Sequence, residues 1–202
     1  MRQNEQDRLR RLAEKEHKKQ QYNHWLTPES SPLKRLLVER YELACLVAKG
    51  RVVDAACGYG VGTYQLAGNP NVTSVIGFDL DQDAVDYAKI KFKDLSNISI
   101  VAGDLSDNII PDCDWLVTME TVEHLPGPIE FLRFAKEKVR HGIVLSVPIY
   151  PTNNAHHCWT HFEPEEVDGW FPGWEKVIDE RLKEVVGGKL VDRYKVAAYT
   201  RD

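Results

Sequence analysis

The chain has 202 residues, a net charge of −5 at neutral pH, 43% apolar and 28% charged residues, the balance of one globular domain with a core of its own. That charge disfavours a large nucleic-acid footprint, though not a local basic patch, and no apolar run reaches the ~18 residues of a membrane helix. The polar amino terminus carries no signal-peptide pattern, and Cys45, Cys57, Cys113 and Cys158 form no CxxC pair, so a reducing cytoplasm is expected rather than a disulfide framework or zinc–thiolate centre.

Residues 1–32 read as a polar arm. Arg2, Arg8, Arg10, Arg11, Lys15, Lys18 and Lys19 alternate with Glu5, Asp7, Glu14 and Glu16, which describes a solvated helical arm better than a nucleic-acid-binding one. A connector punctuated by Pro28 and Pro32 follows, carrying Tyr22, His24 and Trp25. From Leu33 onward Leu36, Leu37, Tyr41, Ala44 and Ala48 recur at helical spacing, and Gly50 is placed to end that helix. Strand and helix patterns then alternate. Strand 51–54 leads to helix 62–66, strand 74–79 to helix 82–94, and strand 98–102 to strand 115–119. Helix 128–139 and strand 142–148 complete the alternation, which calls for a doubly wound α/β sheet with ligands at the carboxyl ends of its strands. Segments 177–186 and 194–199 flank Gly187-Gly188 and predict a terminal antiparallel hairpin. Residues 33–202 therefore form one folded domain.

The densest signal is Val52-Val53-Asp54-Ala55-Ala56-Cys57-Gly58-Tyr59-Gly60-Val61-Gly62-Thr63. A buried strand ends in an acid, and a glycine turn then opens a helix, letting backbone approach a ligand where a Cβ would clash. A second strand ends in Asp79, about twenty residues on, where an acid can grip a ribose diol. A third, Val101-Ala102-Gly103, ends in Asp104.

With Asp54 ahead of the glycines, these motifs resemble class I S-adenosylmethionine-dependent methyltransferases, over roughly Leu36 to Arg201. The resemblance implies a Rossmann-like fold of seven mostly parallel strands with the antiparallel hairpin at its end. It also implies a cofactor site. Gly58 and Gly60 would lie against the methionine portion, Asp54 near its ammonium group, and Asp79 on both ribose hydroxyls. Asp104 and Leu105 would meet the adenine edge, and Leu80 and Glu120 count among the cofactor contacts. Ala56 departs from the pattern, standing where many relatives have a glycine. The segment around Tyr22, His24 and Trp25 is a lid in such enzymes.

Asp114-Trp115-Leu116-Val117-Thr118-Met119-Glu120-Thr121-Val122-Glu123-His124 resembles the fourth-strand motif of a small-molecule subgroup. Glu120, Glu123 and His124 fall at i, i+3 and i+4, so one helical turn would put them on one face. Two carboxylates and an imidazole suit a divalent cation such as Mg²⁺, Mn²⁺, Fe²⁺ or Zn²⁺, with Mg²⁺ the named candidate. Some ubiquinone-pathway and small-RNA 2′-O-methyltransferases use a similar cluster, the latter with a later histidine; in other relatives the pair only shapes the site floor. The loop from Pro148 to Phe162 carries His156, His157 and His161, so His124, His157 and His161 are the candidates for taking a proton from an acceptor. The same histidines would equally pack and cap a surface loop. The expected activity is methyl transfer to a small-molecule acceptor, oxygen ahead of nitrogen. The alternatives are a metal-assisted RNA or nucleoside 2′-O-methyltransferase, a nucleotide-binding oxidoreductase, and a non-catalytic binding protein on the same fold. Oligomeric state stays open.

Overall fold

Val52, Val53 and Ala55 are almost wholly enclosed, and such an uninterrupted apolar run marks a strand covered on both faces. This strand, β1 (Gly50–Ala55), lies at the middle of the sheet. The computed structural model describes residues 32–201. The sheet lies wholly within the compact unit Val38–Asp202. The charged arm and Tyr22, His24 and Trp25 lie outside the described residues. Among those residues, no helix is long and apolar enough to cross a membrane.

The remaining elements follow as α1 (Pro32–Cys45), α2 (Val61–Ala67), β2 (Val72–Asp79), α3 (Gln82–Lys91), β3 (Ile98–Ala102), β4 (Cys113–Met119), α4 (Pro128–Lys138), β5 (Val139–Pro148), α5 (Pro164–Gly169), β6 (Glu175–Val186) and β7 (Lys189–Thr200). Single 3-10 turns occupy Leu105–Asp107 and Val122–His124. The seven strands are ordered β3-β2-β1-β4-β5-β7-β6. Parallel pairing joins β1 through β5, and β7 runs antiparallel to β5. The doubly wound sheet and terminal hairpin are thus as expected. Strand order reverses between β1 and β4, so a cleft opens there at the carboxyl ends.

Gly50 does not end a helix. α1 stops at Cys45, and Gly50 opens β1 with φ +70°. A Cβ there would sit 2.5 Å from Asp114 Oδ2, the carboxylate that accepts the Arg51 amide at 2.7 Å.

The hairpin turns through Gly187 and Gly188, with φ of +56° and +80°, values that glycine adopts without strain. Pro148 pairs with Tyr194, so β7 residues before Tyr194 extend past the end of β5 on the cleft side of the sheet. The β6–β7 register slips between Leu182 and Lys183, leaving Arg193 out of the Cα register while its guanidinium pairs with Glu184 at 3.1 Å; a bulge of this kind re-aims a side chain. Below it, Lys195 is 1% exposed and anchors β7. Its Nζ lies 2.8 Å from Asp168, 3.1 Å from Asp179 and 3.2 Å from the Pro164 carbonyl. Partial burial alone would raise the Asp168 carboxyl. Hydrogen bonds from Lys195, Tyr199 and Lys176 outweigh that and hold it at about 2.

Candidate cofactor and acceptor site

After β1 the backbone enters the left-handed region three times, at Ala56 (φ +59°), Gly58 (+53°) and Gly60 (+79°). The two glycines serve different ends. A Cβ at Gly60 would lie 2.7 Å from Phe92 Cε2, whereas one at Gly58 would meet nothing within 4 Å. Gly60 therefore admits the packing of α3 and its C-terminal Phe92, and Gly58 borders open space. The turn is tied to β2. Gly58 N donates to Asp79 Oδ2 at 2.6 Å, and Asp81 N donates to Oδ1 at 2.9 Å. Each oxygen keeps a lone pair. Leu80, beside it, is 72% exposed. Asp104 caps the following 3-10 turn by accepting from Ser106 N at 2.8 Å. The Leu105 side chain belongs to the core, so only its backbone is left to face a ligand.

Asp54 is 0% exposed. It accepts hydrogen bonds from Tyr41 at 2.9 Å and Thr63 at 2.6 Å. Burial raises its carboxyl to about 7; the two hydroxyls hold it down and the charge of Asp79 adds to the rise. Tyr41 reaches it across Gly62, where a Cβ would stand 1.9 Å from Tyr41 Cζ.

The acceptor half differs from expectation. Glu120 is not on a helical turn with Glu123 and His124. It follows β4 with φ +50°, and only Val122–His124 form a 3-10 turn. Its carboxylate accepts from Ser146 Oγ at 2.9 Å and lies 3.7 Å from the Arg40 guanidinium. Arg40 is 6% exposed and sits 4.0 Å over the Tyr194 ring. Glu120 is thereby engaged by protein groups, and its carboxylate also bonds the carboxyl of Glu123, the acidic member of the cluster that does form.

That cluster is Glu123, His124 and His157, each offering a ligand atom within 4.8 Å of the others. Glu123 is 0% exposed, and among the described residues neither carboxyl oxygen has a hydrogen-bond partner apart from Glu120. Burial, then the nearby Glu120 charge, pushes its carboxyl well up. His124 Nδ1 lies 3.1 Å from the His156 carbonyl, which can only accept, so Nδ1 carries the proton and Nε2 is open. His157 Nδ1 lies 2.6 Å from Thr152 Oγ1. The two rings meet edge to face at 4.5 Å. Desolvation lowers both histidines, with the neighbouring imidazoles adding to the effect, and keeps them neutral. The loop is strapped down by Cys158 N and Trp159 N, which donate to the Glu123 carbonyl at 2.8 and 3.1 Å. His161 is not brought in: it lies beside Thr160 and 3.9 Å from Glu163.

The buried carboxyl, bonded only to another acid, fits a cation, and so does the donor set. One oxygen and two neutral imidazole donors suit Mn²⁺, Fe²⁺ or Zn²⁺ better than Mg²⁺, which favours oxygen throughout. Sequence reasoning missed Tyr41, Thr63, Arg40 and Thr152. Only Thr63 had a signal, lying one residue past the glycine turn.

A family model described as a methyltransferase domain matches residues 52–142, from β1 into β5. Trans-aconitate 2-methyltransferase of Deinococcus radiodurans is 31% identical over 139 residues, covering 67% of this chain and 50% of that protein. Residues 52–142 are thus matched as a methyltransferase domain. The chain spans about half the length of that curated relative. Among solved structures, the chain superposes on the N-methyltransferase NodS of Bradyrhizobium japonicum, crystallised with S-adenosylhomocysteine. That match has a TM-score of 0.67 at 15% identity and covers 89% of this chain and 95% of that one. Magnesium protoporphyrin IX methyltransferase of Synechocystis, with S-adenosylmethionine bound, gives 0.62 at 14%, covering 83% and 77%. Such identities speak for the fold alone.

Proposed function

We propose that this chain binds S-adenosylmethionine at the carboxyl ends of β1 and β2 and transfers its methyl group to an oxygen of a small polar acceptor held at Glu123, His124 and His157. The observation that carries the reading is Asp79, tied to the glycine turn through Gly58 N yet keeping lone pairs beside open space. Gly58 lets backbone approach the methionine portion, Asp79 accepts from the ribose, and the exposed Leu80 covers one adenine face. Asp104 and the Leu105 backbone border the other edge. Asp54, fully enclosed, contributes its charge behind the turn. Gly60 shapes that turn.

The cofactor supplies a methyl group already activated on a sulfonium centre. What remains for the protein is to hold the acceptor in line and remove its proton, and good positioning alone contributes about 7–11 kcal/mol in favourable cases. His124, with Nε2 open, and His157 are the proton acceptors at the acceptor oxygen. Imidazoles kept neutral by desolvation favour a hydroxyl, hence oxygen over nitrogen. In a second use of the same lone pairs, Glu123, His124 and His157 would hold a divalent cation, which would supply positive charge against that oxygen; an imidazole engaged in that way would no longer take the proton. Glu120 would stay outside that shell, its charge balanced by Arg40. The net charge of the chain speaks for a small molecule over a nucleic acid.

Calorimetry with S-adenosylhomocysteine and with NAD tests the cofactor half. Binding of the first and not the second is expected, and the reverse would return the chain to an oxidoreductase. Incubation of host extract with a methyl-labelled cofactor, followed by mass spectrometry, then identifies the acceptor; label on nitrogen would overturn the oxygen assignment.

A further inference from the structure

Thr152 is buried at 7% exposure in the loop after β5, and its hydroxyl faces two partners at once. Oγ1 lies 3.1 Å from the Thr160 carbonyl and 2.6 Å from His157 Nδ1. A hydroxyl has one proton and two lone pairs, and a carbonyl can only accept. If the Thr152 proton goes to Thr160, the imidazole must donate through Nδ1–H. The same loop closes in parallel on the other ring, whose Nδ1 faces the His156 carbonyl. Thr152 N also donates to the Thr160 carbonyl at 3.1 Å, so side chain and backbone of one residue clamp the loop shut behind His157.

We infer that Thr152 is a positioning residue that sets the tautomer of His157: its oxygen accepts a hydrogen bond from Nδ1–H and so leaves Nε2 as that ring's open lone pair. The inference rests on the reading of Glu123, His124 and His157 as the acceptor site, and it says why two neighbouring imidazoles present the same tautomer. Each Nδ1–H is consumed by the loop, one by a backbone carbonyl and one by a hydroxyl anchored to another. Hydrogen bonds of this kind fix ring orientation and ligand basicity, and their loss typically lowers metal affinity by about 10- to 100-fold.

The test is a long-range ¹⁵N–¹H correlation spectrum of the ligand-free protein labelled at histidine, recorded near pH 8. His124 and His157 are both expected as Nδ1–H tautomers. In Thr152→Val, His157 moves toward Nε2–H while His124 stays, and Thr152→Ser restores the wild-type pattern. Thr152→Ala serves should the valine variant not fold. Wild-type His157 protonated on Nε2, or Nδ1–H persisting without the hydroxyl, overturns the assignment. Mn²⁺ titration gives the second readout: binding about 10- to 100-fold weaker in Thr152→Val and recovered in Thr152→Ser. A wild-type chain that takes up no Mn²⁺ overturns the cation reading of the site, whereas the spectrum alone decides the tautomer, so the two failures are distinct.

Discussion

Gly62→Ala sets helix propensity against packing, and the two predict opposite signs. Gly62 lies inside α2, where alanine would ordinarily stabilise by about 0.5–1 kcal/mol. The new Cβ, however, would stand 1.9 Å from Tyr41 Cζ and 2.2 and 2.3 Å from its Cε atoms. Carbon contacts need roughly 3.5 Å, so the ring must retreat by about 1.5 Å. Tyr41 is 3% exposed, and overpacking at such a site costs about 1–3 kcal/mol. Retreat also breaks the 2.9 Å bond to Asp54, leaving a buried carboxyl one donor short at a further ~1–3 kcal/mol. Packing wins. A net loss of about 3 kcal/mol is expected, a fall in melting temperature of roughly 6–12 °C for a chain of this size. Urea unfolding and calorimetry measure it, and the double mutant with Tyr41→Ala isolates the cause. With the ring gone, the same alanine should become neutral or stabilising. A stabilising Gly62→Ala in the native background, or a loss undiminished by Tyr41→Ala, would refute the reasoning.

Asp79→Asn should weaken S-adenosylhomocysteine binding by about 1.5–3 kcal/mol, the worth of hydrogen bonds to a charged acceptor, in a chain that still folds; unchanged affinity by calorimetry would take Asp79 out of the site. The Asp54 carboxyl is raised by burial from 3.8 to about 7. A raised folded value contributes stability that is complete below the unfolded value and lost as pH rises through the folded one. Ligand-free stability should therefore fall between about pH 4 and 7 from this group, and Asp54→Asn should flatten that part of the profile; an equally steep fall in the asparagine variant would contradict it. Glu123→Gln should abolish Mn²⁺ uptake while leaving S-adenosylhomocysteine affinity within about twofold, a separation that follows from the two halves of the site sharing no residue. Equal loss of both ligands would mean that Glu123 shapes the whole cleft.

The fold was legible because its signals are local and repeated. Val52-Val53, Val75-Ile76 and Leu116-Val117 each read as strands covered on both faces, and each does pair in the parallel sheet. Gly187-Gly188 announced the hairpin through backbone conformation alone. The cofactor half was legible for the same reason, since Asp54, Gly58 and Asp79 sit at element ends that the strand pattern locates. Element ends were the weak point. Gly50 reads as a helix stop in one dimension, and only the approach of Asp114, sixty-odd residues later, shows why the position excludes a side chain. Thr152 acquires its role from a loop closure, which has no spacing rule.

The two glutamates of the Glu120-x-x-Glu123-His124 motif show where pattern reasoning stops. At i and i+3 they look equivalent, and a helical turn would make them so. The chain instead turns left-handed at Glu120, which directs that carboxylate to Ser146 and Arg40. Glu123 enters the 3-10 turn and is buried with its carboxyl bonded only to that of Glu120. A buried polar group left short of partners costs about 1–3 kcal/mol, and folded proteins keep few of them. Arg40 lies 3.7 Å from the Glu120 carboxylate with its guanidinium over Tyr194. The protein thus neutralises Glu120 from its own side chains and leaves Glu123 beside two imidazoles. Of the two, Glu123 is the one that shares its surroundings with His124 and His157, and so the one placed to hold a cation with them.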